Sequence, residues 1–163
     1  MTERIAIDVD LRSITAVSTE RGILCKQLRV TPDAFQKAYL PCLPRWSDIL
    51  LLLEIAGPVM HGGTGRDACP PGKRRWMIYN AAWVSEMCVR WGNVRVATST
   101  SWTMGYKESE RHAIAGIHPV KSDKSGKAIY AENHDVREVR AMLHMHGVAP
   151  QRWSTLYDYL EAL

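Results

Sequence analysis

Two carboxylates stand where apolar side chains would be cheaper. Asp8 lies in the β-rich run RIAIDV at residues 4 to 9, and Glu54 lies in ILLLLEI at 49 to 55, the most hydrophobic segment of the chain. Burying an unpaired carboxylate costs several kcal/mol, so each should have a donor or a cation waiting for it. A divalent metal would serve both at once. Carboxylate oxygens on rigid elements suit Mg²⁺ or Mn²⁺, and two such ions roughly 4 Å apart are the usual machinery for in-line attack on a phosphodiester. Either acid alone reads more readily as a capping group or a salt-bridge partner. Asp10 shares a strand face with Asp8 by the period of two and is the alternative ligand from that strand. A further pair, Asp135 and Glu138, is spaced to project from one helix face one turn apart, with His134 beside it and Arg137 or Arg140 as alternative partners.

The elements that must hold these acids are legible in outline. After the first strand, Ile14 to Ser18 and Ile23 to Val30 read as two more strands, with a turn near Arg21 and Gly22, giving a three-strand meander. Thr31, Pro32 and Asp33 start a helix that Pro41 and Pro44 end. Residues 49 to 55 are continuously apolar apart from Glu54, as in a strand buried on both faces. Gly57 to Lys73 holds five glycines and three prolines and predicts a long functional loop, at about 57 to 74. Arg75 to Trp91 returns to helical spacing, and Val94 to Thr98 is the fifth strand. Ser99 to Ala131 is polar and mixed. Glu132 to His146 is a strong helix closed by Gly147 and Pro150, and a last short helix spans about Trp153 to Leu160.

With 163 residues, 46% of them hydrophobic, the chain suits one domain, 1 to 163, with a single core. No run is long and apolar enough for a membrane helix, and the start MTERIAIDVD is unlike a secretory signal, so a soluble, cytoplasmic protein without a membrane partner is expected. Cys25, Cys42, Cys69 and Cys88 lack the short spacings of a zinc site and read as reduced thiols. A net charge of +4 leans toward a polyanionic partner, and local clustering says more. Lys73, Arg74 and Arg75 are consecutive, and Lys121, Lys124 and Lys127 recur every third residue, as two surfaces suited to phosphates or simply to water. Among the six tryptophans, Trp83 reads as core, while Trp102 reads equally as core or as a platform for an exposed base.

Order and spacing narrow the choice. IAIDVD in the first strand, LLLLEIAGP in the fourth and NHDVREVRAMLHMHG in the closing helix together resemble the RuvC-like Holliday-junction resolvases, nucleases of the ribonuclease H-like superfamily. The resemblance implies an α/β fold with a central mixed five-stranded sheet, the meander followed by strand-helix-strand units, flanked by helices. It carries the family's four metal-holding carboxylates onto Asp8, Glu54, Asp135 and Glu138, with two Mg²⁺ ions and no nucleotide cofactor. It also implies a homodimer that cuts branched DNA. The segment after the fifth strand, where the family places basic DNA-contacting residues, offers Trp102, Lys107 and Arg111, and the hydroxyls of Ser99, Thr100 and Ser101 add phosphate contacts.

The chain departs from the pattern at Asp10, where a small glycine is common, and at Glu138, where Asp is usual. Gly57 and Pro58 stand where an aromatic wedge often follows the strand-four acid, leaving Met60 or His61 to distort a junction. The departures suggest a divergent member of a phage or mobile-element type. Two other readings fit the same residues: a nuclease of this fold acting on RNA–DNA hybrids or simple duplexes, and a non-catalytic nucleic-acid-binding module. An actin-like ATPase is excluded, since the chain is too short for two lobes and no phosphate-binding glycine loop follows the first strand.

Overall fold

The computed structural model describes residues 2–27, 29–41, 48–57 and 71–163. Most of the 57 to 74 loop, with Met60, His61 and Cys69, therefore lies outside the described residues, as does Cys42. Among the described residues no helix is long and apolar enough to cross a membrane.

The meander is β1 (Glu3–Val9), β2 (Ile14–Ser18) and β3 (Gly22–Gln27). Helix α1 (Pro32–Tyr39) follows, with the Thr31 hydroxyl accepting from the Ala34 amide at 3.1 Å as its N-cap. Strand β4 (Ile49–Glu54), helix α2 (Pro71–Arg90) and strand β5 (Val94–Ala97) complete a sheet ordered β3-β2-β1-β4-β5. The first two pairings are antiparallel, and β1–β4 and β4–β5 are parallel. The expected mixed five-stranded sheet is present.

Alternation along the central strands sorts side chains into two cores. Ile5, Ile7 and Val9 of β1, with Leu51 and Leu53 of β4, pack beneath Phe35 of α1 and Trp83, Val84 and Met87 of α2. Ala6 and Leu52 face the other way, with Trp102 and with Val136, Val139, Met142 and Met145 of helix α5 (His134–Val148). Continuing the period of two from Ala6 and Leu52 puts Asp8 and Glu54 on this second face, toward α5. Helix α5 starts two residues later than its sequence pattern suggested because Asn133 caps it, its Oδ1 accepting from the Val136 amide at 3.0 Å.

The polar stretch from Ser99 to Ala131 is more structured than expected. It holds α3 (Ser99–Thr103), α4 (Glu108–Ile114) and a small hairpin of β6 (Lys121–Ser122) and β7 (Ala128–Ile129). The local signals are short ones: Thr98 caps α3, Glu110 reaches back to the Lys107 amide at 2.7 Å, and Asp123 accepts from the Ser125 and Lys127 amides in a turn closed by Gly126 at φ +85°. Near the other end of the fold, Trp153 plugs the α5-side core. Ser154 bridges to Val96 of β5, and the last helix is the shorter α6 (Leu156–Glu161). Its Tyr157 and Leu160 point outward, at 71% and 55% exposed. The buried Cys25 thiol donates to the Ile14 carbonyl at 3.5 Å, and burial pushes the Cys88 thiol up to about 11.

Candidate metal centre and nucleic-acid interface

The registered ladder between β1 and β4 ends at Ile7↔Leu53, so Asp8 and Glu54 lie just beyond it, on neighbouring strands and on one face. Helix α5 packs across that face and brings Asp135 and Glu138 toward them. The four predicted carboxylates thus converge from three elements. Their proximity is registered in the ionisation of Asp8, whose carboxyl is raised from 3.8 to about 7. Desolvation is the main cause, followed by the charges of Glu54, Asp135, Asp10 and Glu138. No hydrogen-bond donor among the described residues meets the Asp8 carboxylate. Carboxylate oxygens gathered in this way could hold a hard divalent ion, which takes all-oxygen ligation.

Asp10, the alternative ligand from this strand, also acts on Asp8 by its charge. It is exposed beyond the end of β1, and its Oδ1 accepts from the Leu11 amide at 2.6 Å, within the β1–β2 turn. Glu54 is also held above the usual carboxylate range, chiefly by desolvation, while the Trp102 indole N–H donating to its Oε2 at 2.6 Å and the Arg111 charge pull the other way.

Two residues expected at a nucleic-acid surface are occupied inside the protein. Trp102 is only 2% exposed and its indole is spent on Glu54, so it cannot serve as a base-stacking platform. Arg111 forks both terminal contacts from Nη2 onto Glu138, at 2.9 and 3.1 Å, gives Nη1 to the Tyr106 carbonyl, and lies over the Trp102 ring. The buried His112 adds its Nε2 to Glu138 at 2.8 Å. Sequence reasoning missed these partners because they come from α4, a helix with little apolar patterning of its own.

A tighter cluster lies at the edge of the site. Ligand atoms of Glu108, His134 and Glu138 fall within 4.8 Å of one another. This group already has partners within the protein: Arg111 is on Glu138, Arg137 is 4.0 Å from Glu108, and His134 lies 3.0 Å from Glu108 and 3.4 Å from Asp135. His134 therefore links α4 to α5.

The other basic residues expected at a nucleic-acid surface are exposed. Lys73, Arg74 and Arg75 sit in the first turn of α2 rather than in the preceding loop, and all three are exposed. No acid accompanies them there, and the positive end of the helix dipole reinforces their field. Lys107, Lys121, Lys124 and Lys127 are exposed as well, the last three on the β6–β7 hairpin and its turn. Replacing Lys73, Arg74 and Arg75 together with Ala is expected to weaken DNA binding irrespective of sequence. The slope of log affinity against log salt should shrink by up to about three. An unchanged slope would return these residues to solvation.

No protein-family model matches the chain, and no curated protein matches it in sequence. Solved structures do match. RuvC of Thermus thermophilus aligns with a TM-score of 0.50 at 11% identity, over 91% of this chain and 95% of that one. T. thermophilus RuvC in complex with a Holliday junction substrate aligns with a TM-score of 0.49 at 8% identity, over 93% and 96%. The fold is therefore ribonuclease H-like and of the RuvC type, as the resemblance implied.

Proposed function

We propose that the chain is a divalent-metal-dependent DNA endonuclease that cuts four-way or branched DNA as a homodimer. The observation that carries this reading is the convergence of Asp8, Glu54, Asp135 and Glu138 on one sheet face, with Asp8 raised to about 7 and without a donor of its own. Asp8, Glu54 and Asp135 would hold the ions, with Glu138 completing the set from α5. Bound there, Mg²⁺ or Mn²⁺ supplies charge neutralisation at the scissile phosphate and activation of the attacking water. The protein's own contribution is placement. Trp102 fixes Glu54 by hydrogen bond, and the exposed cations of α2 and of the hairpin bind the flanking phosphates.

The dimer part of the reading rests on symmetry and on α2. A four-way junction offers two equivalent phosphates and one domain holds one carboxylate group, so paired incision needs two subunits. The outer face of α2 leaves Ile78 and Val89 72% and 88% exposed, with Ala81, Ala82 and Ser85 between them, an apolar strip suited to a second copy. One observation favours a different reading: the fork of Arg111 on Glu138 neutralises one acid of the set, as a non-cleaving DNA-binding module would allow.

Cleavage assays on labelled four-way junction, flap, duplex and RNA–DNA hybrid, with and without Mg²⁺, together with light scattering, decide between them. Symmetric Mg²⁺-dependent nicking of the junction by a species of twice the 18.4 kDa chain mass is expected. Binding without cleavage leaves the module. A strictly monomeric mass, free and on junction DNA, promotes a single-cut nuclease in its place.

A further inference from the structure

Asn80 is an unexpected residue for its position. The buried face of α2 is otherwise apolar around it, with Trp83, Val84 and Met87 following at helical spacing, and Asn80 itself is 1% exposed. Asparagine is a poor interior helix residue, and a buried amide is costly unless its hydrogen bonds are met. Here all of its partners are backbone groups at the ends of the two central strands. The Ala56 amide donates to Asn80 Oδ1 at 2.8 Å, while Asn80 Nδ2 donates to the Glu54 carbonyl at 3.0 Å and to the Val9 carbonyl at 3.4 Å. Reversing the amide would set its NH₂ against the Ala56 N–H and its oxygen against two carbonyls, so the network fixes its orientation.

The location of this network gives it meaning. The parallel ladder between β1 and β4 makes its last registered pair at Ile7↔Leu53. The next residue of β1 is Asp8 and the next of β4 is Glu54. Beyond the ladder the Asn80 side chain joins the two strands, gripping Val9 on one and Glu54 and Ala56 on the other. Trp76, one turn earlier on α2, adds a second donor to the Val9 carbonyl at 3.2 Å. We infer that Asn80 is a positioning residue, its amide replacing the missing ladder rungs and fixing the separation of the Asp8 and Glu54 carboxylates for a shared cation. The inference rests on the metal-site reading above. Groups that orient the ligands of a metal typically change affinity or activity by about 10- to 100-fold when removed.

Three variants test it: Asn80→Asp, Asn80→Leu and, as a control, Met87→Ala, which opens the same core two turns further along α2. Mn²⁺ binding is measured by calorimetry without DNA, and the Mg²⁺ dependence of junction cleavage is measured alongside thermal melting. Both Asn80 variants are expected to bind Mn²⁺ on the order of tenfold more weakly and to need correspondingly more Mg²⁺. The KM for DNA should stay within about twofold, as for a residue remote from the phosphates. Met87→Ala should lower the melting temperature without moving the metal affinity. Asn80→Asp keeps an acceptor for Ala56 and adds a negative charge that by itself would draw a cation closer, so weaker binding there reports lost placement. Should Asn80→Leu fail to fold, Asn80→Asp decides. Parental metal affinity in a folded Asn80→Asp overturns the inference, as does an equal loss in Met87→Ala. Absence of Mn²⁺ binding and cleavage in the parent protein sinks the metal-site reading itself, a different outcome from either.

Discussion

At pH 8 the Asp8→Asn protein is expected to melt at a higher temperature than its parent when divalent metal is absent, yet to cleave DNA on the order of a thousandfold more slowly than its parent once Mg²⁺ is added. Both effects come from one carboxyl. Its folded-state value of about 7 lies above the ordinary 3.8, so between those limits the folded protein holds a proton that the unfolded chain releases. The stabilisation from that proton is complete below about pH 4 and is lost as the pH rises through 7. At roughly 1.4 kcal/mol per pH unit, ionising Asp8 in place costs up to about 4 kcal/mol. This is an upper bound, because the side chain keeps an edge in solvent. Asparagine has nearly the same shape and never pays that cost. The melting advantage should therefore shrink as the pH is lowered toward 4, and Mg²⁺ should raise the melting temperature of the parent more than that of the variant. Differential scanning fluorimetry across pH, with and without Mg²⁺, measures both. A melting difference that ignores pH would mean that Asp8 is not the strained group its surroundings imply.

Arg111→Ala should cost about 3 kcal/mol of folding stability, or a fall of roughly 5 to 10 °C in Tm for a chain of this size. Arg111 and Glu138 keep only 12% and 15% of their side-chain surface exposed, so removing the guanidinium leaves a mostly buried carboxylate with His112 as its remaining partner. The cost sits at the lower end of the range for buried pairs because that partner stays. Arg111→Lys restores the charge without the fork and should recover part of the loss. Melting curves separate this residue from the exposed cations of α2, whose replacement changes salt dependence and leaves stability nearly alone. An unchanged Tm in Arg111→Ala, with a smaller salt slope, would return Arg111 to the DNA surface that its sequence position suggests.

The contrast between these residues shows what the sequence made legible. Asp8 and Glu54 stood out because each interrupts an apolar run, and the period of two then placed both on the face that receives α5. The acids of α5 were readable because helical spacing joins them locally. Arg111 and His112 were not, since their partner lies on another helix and neither falls in an apolar pattern. Trp102 stayed ambiguous for a related reason: without α3 in view, nothing assigned its ring to core or solvent. The start of α2 was placed too late because Pro71 and Gly72 read as loop, although proline suits a first helical turn. Asn80 did leave a signal, as a lone amide in a buried helical stripe. Its partners are main-chain groups, which no side-chain pattern records.

The packing of α5 against β1 and β2 has a consequence for how the protein is made. Synthesis delivers Asp8 and Glu54 early, but the helix carrying the other two acids follows much later in the chain, together with the residues that cover Ala6, Val17 and Leu52. At about 5 to 20 residues per second, several seconds separate the synthesis of β5 from that of α5 in a nascent chain. During that interval it holds half of the carboxylates and an apolar surface that chaperones and proteases recognise. A chain cut short before residue 134 would thus be marked for disposal by the same vacancy that denies it a complete acidic centre. Only translation through α5 both hides the sheet and assembles the charge.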